Sequence, residues 1–311
     1  MIRRTILTIL VFPFILYPSW AQISEGGQPP SFTEAVIRTD FNSIHITTPD
    51  MSVIMAEDEE HDNTVDPLRI GVLVPVNKDI MDEGSRTQVP GGGQVWRLKL
   101  VLKGAEALGV YFEDFWLPPG GKLFLYDAAG AYVLGAFTER NNQENRLFAT
   151  DLVPGDEAIL EYYQPSAESE KPSLLVSEVS YTYRNSGFSE SRSQLLDECY
   201  VDVNCSPEGN QWQKQKRSVV RINLKTPSGT YYCTGALVNN TRDDFKPYLL
   251  TAGHCGADAT PASDAGFGGI PRQGRPRRGN LDRGFVGARH RTWIGTRRDP
   301  RSLCQRRARN L

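Results

Sequence analysis

Two runs hold the residues best suited to chemistry. They are Cys233-Thr-Gly-Ala-Leu-Val-Asn-Asn-Thr241 and, eight residues further on, Leu249-Leu-Thr-Ala-Gly-His254-Cys255. Imidazole titrates near neutral pH, so a side chain such as His254 can accept a proton and return it within one reaction cycle. The chain has five cysteines (Cys199, Cys205, Cys233, Cys255 and Cys304), all after residue 198. They form no Cys-x-x-Cys motif and sit in no His-rich stretch, so the residues predict no metal site and no cofactor. In an exported protein such cysteines serve as bridges rather than reactive thiols, and an odd count leaves at least one without an intramolecular partner.

Export is the expectation from the first 21 residues, which read as a secretory signal peptide. Arg3 and Arg4 form a charged start, Ile6 to Tyr17 an apolar run, and Ser19-Trp20-Ala21 puts small residues where a signal peptidase cuts. The apolar run is too short to span a bilayer, and no later segment is apolar enough, so the mature product is expected outside the cell and off the membrane. The net charge of −2 hides a split: residues 272–311 carry thirteen arginines, no lysine and two acids, leaving the preceding residues strongly acidic.

The elements that would position the histidine are strands. Residues 22–67 read as a flexible leading segment whose acidic run Glu57-Asp-Glu-Glu60 belongs in a solvated linker. From 68 to 184, short strands alternate with turn formers. Trp96, Leu98, Leu100 and Leu102 alternate with Arg97, Lys99 and Val101, the period of a strand with one buried face. Val110–Phe112, Lys122–Tyr126, Tyr132–Leu134, Ala158–Tyr163 and Leu174–Val176 continue the series. Turns fall at Leu117-Pro118-Pro119-Gly120-Gly121, Asp127–Gly130 and Pro154–Asp156. There the prolines withhold ladder hydrogen bonds and the glycines admit positive φ. This spacing predicts an all-β chain beginning with an antiparallel β-sandwich. A polar connector, 185–198, leads to a hairpin in which Val219–Leu224 turns through Thr226-Pro-Ser-Gly229 into Tyr231–Val238. A further strand, Tyr248–Thr251, ends at the histidine.

Over 199–262 the chain resembles the lysyl endopeptidases, secreted bacterial relatives of trypsin. The matching landmarks are Asp197-Glu-Cys-Tyr-Val-Asp-Val-Asn-Cys205 with Pro207-Glu-Gly209, then Cys233–Thr241, then Leu250-Thr-Ala-Gly-His-Cys-Gly256. The resemblance implies that the three strands belong to a six-stranded Greek-key barrel. It also implies that His254 is the general base of a Ser-His-Asp triad acting on protein or peptide substrates. Cys233 is expected to pair with Cys255, closing a loop of about 20 residues and stabilising the fold by about 3 kcal/mol. Cys199 and Cys205 would pair with cysteines much later in such a domain, and these are not recognisable here. Residues 68–184 resemble the precursor part of such enzymes through Val95-Trp-Arg-Leu98, Phe115–Phe124 and Leu134–Glu139. They are expected to act as a pro-domain that assists folding or masks the site. The alternative is an exported, non-enzymatic binding or adhesion module carrying a vestigial protease segment, in which Trp96 or Trp116 would stand on a sugar-binding surface.

Past His254 the pattern breaks. The resemblance calls for an Asp on a strand and a Gly-Asp-Ser-Gly-Gly turn, whose serine is the nucleophile and whose backbone N–H groups form the oxyanion hole. Neither motif is present. Asp258, Asp264, Asp282 and Asp299 lie in Ala-, Gly- or Arg-rich context, and Ser263 and Ser302 lack a glycine setting. From 263 to 311 the text is Gly/Arg-rich and without lysine, although nine lysines precede it. A frameshift near Ala262 is the expectation, either giving a truncated and inactive product with a disordered tail in which Cys304 is displaced, or arising as a sequencing error. The rival, a basic tail for nucleic acid, has phosphate-seeking arginines but no interleaved aromatics, so no nucleic-acid partner is expected.

Overall fold

The alternating runs pair into two sheets. A computed structural model of the chain describes residues 24–34, 40–61, 68–165, 170–184, 206–239, 241–242, 248–252 and 255. The signal-peptide residues, the connector 185–198 and the Arg-rich tail lie outside the described residues. The first sheet holds β1 (Ser43–His45), β3 (Ser85–Gln88), β4 (Gln94–Val101), β6 (Lys122–Asp127), β7 (Val133–Phe137) and β10 (Glu157–Gln164). Its order is β1-β4-β10-β6-β7, with β3 also on β4, and only β1 runs parallel to its neighbour. The second sheet is built on β2 (Arg69–Asp79), β5 (Ala107–Trp116) and β11 (Ser173–Thr182). The two-residue strands β8 (Phe148–Ala149) and β9 (Val153–Pro154) lie along β5.

Side chains from both sheets meet in one core. Leu98, Leu100, Leu123, Leu125 and Leu160 come from the first sheet and Leu108, Val110, Phe112, Val176 and Val179 from the second. Phe148 joins them: its ring stacks on Phe115 at 4.2 Å and meets Phe137 edge-on at 5.0 Å, bridging the sheets. Trp96 is buried in this core.

The other face of the first sheet is covered as well, and residues expected to be flexible cover it. The Ser31 N–H donates to Glu161 Oε1 (2.8 Å), and the Tyr126 hydroxyl donates to Glu161 Oε2 (2.6 Å). The Glu25 N–H donates to the Ala136 carbonyl (2.9 Å), and the Arg97 guanidinium lies 4.2 Å from the Phe41 ring centre. The acidic run does not form a solvated linker either: it lies in helix α1 (Met51–His61). Asp58 is 3% exposed, accepts from Arg69 Nε (2.8 Å) and the Tyr183 hydroxyl (2.6 Å), and lies 3.3 Å from Arg184 Nη2. These partners lie at the two ends of the sandwich sequence, so the local charge run gives no sign of them.

The C-terminal hairpin, β12 (Val219–Thr226) and β13 (Gly229–Val238), extends the second sheet, giving the order β12-β13-β2-β11-β5-β8. β13 pairs with β2 through Thr230↔Gly71 and Tyr231↔Arg69, and with β14 (Tyr248–Thr251) through Gly235↔Thr251 to Val238↔Tyr248. Among the described residues the sheets close no barrel.

Candidate functional site

The described residues that flank Gly253-His254 in sequence have well-defined partners. On β12 and β13 the positions Val220, Ile222, Leu224 and Cys233 share one face and form a small apolar cluster with Cys255. Period-2 alternation puts Arg221, Asn223, Lys225, Thr230 and Tyr232 on the opposite face. Gly235 lets β14 approach, because a Cβ there would sit 2.7 Å from Leu249 Cδ1 and 3.1 Å from the Leu250 carbonyl. The Thr251 hydroxyl, on the last residue of β14, donates to the Thr234 carbonyl (2.8 Å). Four residues on, the Cys255 N–H donates to the Ala252 carbonyl (3.1 Å).

The structure brings Cys233 and Cys255 together in a disulfide with Cα atoms 6.0 Å apart, both residues buried. The strand pairing of Thr251 and the bridge at Cys255 therefore fix the chain on either side of Gly253-His254. The histidine itself lies outside the described residues, as do Cys199, Cys205, Cys304, Ser263, Ser302, Asp258, Asp264, Asp282 and Asp299. Among the described residues, no group of three His, Cys, Asp or Glu side chains is placed to hold a metal ion.

The strands leave apolar surface open. Leu250 is 64% exposed, and Val219, Val238 and Tyr248 are also exposed. The β12 edge away from β13 has no partner strand among the described residues.

The polar face of the hairpin is engaged with the sandwich, which the sequence alone did not reveal. Asp151 accepts from Asn223 Nδ2 (2.9 Å) and lies 3.3 Å from Arg221 Nη2. Lys225 pairs with Glu178, and its ammonium lies 4.6 Å from the Tyr111 ring centre. The only signal in the sequence was charge alternating with apolar residues along 219–225, which reads equally well as a solvent face.

The two tryptophans differ in exposure. Trp96 is internal, and Trp116, 36% exposed, has the Arg146 guanidinium 5.5 Å from its ring.

The geometry defines an all-β protein whose last described strands are tied to Cys255 by a disulfide. Residues 195–272 match the family model for the lysyl endopeptidase C-terminal domain, about a quarter of the chain. The match supports a lysyl endopeptidase-like protease lineage, hence a hydrolase lineage. It runs to residue 272, ten residues past the end of the resemblance read from the sequence. No helix among the described residues is long and apolar enough to cross a membrane.

Proposed function

We propose that the chain descends from a secreted, trypsin-like lysyl endopeptidase made as a zymogen. Its residues 68–184 act as the pro-domain, following a pro-segment over 22–67, and 199–262 form the first part of the protease domain. The observation that carries this reading is the family match over 195–272, which spans both the Cys233–Cys255 bridge and His254. In this reading His254, which precedes the bridged Cys255 in sequence, is the general base. The charged start and apolar run of residues 1–21 support export, and the family's name supports protein substrates cut at lysine.

These 311 residues do not hydrolyse peptides by themselves, because they contain neither the Asp strand nor the Gly-Asp-Ser-Gly-Gly turn. Loss of the triad serine costs on the order of 10⁶ in rate, and loss of the oxyanion hole removes most of what remains. The change to arginine-rich text follows from a reading-frame shift between about 262 and 272, where the resemblance and the family match end.

A serine-directed fluorophosphonate should leave the purified chain unlabelled, and a lysyl peptide should stay intact in its presence. Stoichiometric labelling of this polypeptide would overturn the inactive reading. Resequencing codons 255–275 and finding the Asp and Gly-Asp-Ser-Gly-Gly motifs in another frame would establish the frameshift.

A further inference from the structure

The polar face of the β12–β13 hairpin and the sandwich surface beneath it are complementary in four separate ways. The backbone of β13 adds to the β2 edge at Thr230 and Tyr231, and Arg69 Nη1 donates to the Ser228 carbonyl (3.3 Å). Tyr232 packs on an apolar patch made by Ile70, Ala107 and Leu152. Three hydroxyls meet in the buried layer between them, Ser180 Oγ lying 3.1 Å from Thr230 Oγ1 and 3.2 Å from Thr182 Oγ1. Charge is matched too, with Asp151 under Arg221 and Glu178 under Lys225.

Apart from the Ser180–Thr182 contact within β11, each of these contacts draws one side from the sandwich and the other from the hairpin. Gly71 and Gly229 permit the close approach: a Cβ on Gly71 would sit 2.7 Å from Thr230 Oγ1, and one on Gly229 would sit 2.5 Å from the Gly71 carbonyl. Strand addition of this kind supplies affinity through main-chain hydrogen bonds and specificity through alternate side chains.

We infer that the sandwich is a binding module for the hairpin face carrying Arg221, Asn223, Lys225, Thr230 and Tyr232. The contact holds the two parts together after the connector between them is cut. Cleavage of a zymogen connector therefore does not free the protease part; it leaves a noncovalent complex that must still be pulled from the β2 edge. Naming the hairpin a protease segment rests on the proposed function, but the contact itself does not.

The test uses the full chain with a recognition sequence for a site-specific protease inserted after Ser191. After complete cutting, the two fragments of the otherwise unchanged protein should co-elute from a sizing column at physiological salt. Arg221→Glu combined with Lys225→Glu changes only the hairpin, and the separation of the cut fragments should rise at least about tenfold in dissociation constant. Adding Glu178→Lys to Lys225→Glu should recover part of that loss. Urea unfolding of the isolated sandwich fragment reports that it remains folded.

Cut fragments that separate while the sandwich stays folded would overturn the inference. So would a double charge reversal that leaves co-elution unchanged. Fluorophosphonate labelling of a co-eluting pair would sink the inactive reading and leave the binding module intact, so the two failures are distinguishable.

Discussion

At the residue scale, Asp58 shows how far a side chain's role can lie from its local context. It belongs to an acidic run, yet its carboxylate is buried between Arg69 and Arg184 and accepts the Tyr183 hydroxyl. Removing one member of a buried ionic group leaves the others uncompensated, at a cost of about 3 kcal/mol or more. Asp58→Ala is therefore expected to destabilise the sandwich by about 3 kcal/mol in urea unfolding. Changing Glu60, an exposed residue of the same run, to Ala should cost well under about 1 kcal/mol. Equal effects from the two substitutions would contradict this account.

At the element scale, one of the two shortest strands among the described residues has an outsized role. β8 has two residues and could be passed over as loop, but Phe148 is fully buried between Phe115 on the second sheet and Phe137 on the first. Truncating a large buried aromatic side chain costs about 3–5 kcal/mol, because burial is lost and a cavity remains. Phe148→Ala should lower the unfolding free energy by that amount without changing the sheet order. A loss below about 1 kcal/mol would mean that the ring is not a bridge between the sheets. The β12–β13 hairpin presents the contrary case. It is a regular element whose two faces serve different bodies, one its own small cluster and the other the sandwich.

For the whole molecule, pH reports how completely the sandwich shields its tyrosines. Burial holds the Tyr111 and Tyr162 hydroxyls well above the ordinary tyrosine range. Burial first, and then the carboxylates of Glu161 and Asp58, do the same for Tyr126 and Tyr183. These groups stay protonated in the fold when they would ionise in the unfolded chain. Their contribution to stability is thus complete below the unfolded value near 10 and is lost progressively as pH rises above it. The urea midpoint should change little from pH 8 to 9 and fall between pH 10 and 11. Part of the tyrosinate absorbance should appear only with unfolding. A tyrosinate titration that completes while the protein is still folded would refute this.

Period-2 alternation from Trp96 to Leu102, together with proline and glycine turns, was sufficient to identify an all-β fold, because strand faces and breakers are local properties. The run Thr251-Ala-Gly-His-Cys255 likewise marked the candidate site and its lineage, since a motif is written in consecutive residues. Pairings between distant residues could not be read in that way. Glu161 meeting Ser31, Asp58 meeting Arg184, and Arg221 and Lys225 meeting Asp151 and Glu178 all join residues far apart in sequence. A charged residue on a strand has the same local pattern whether it faces water or a carboxylate. Only the tertiary structure, by laying β13 against β2, decided which of the two it faces.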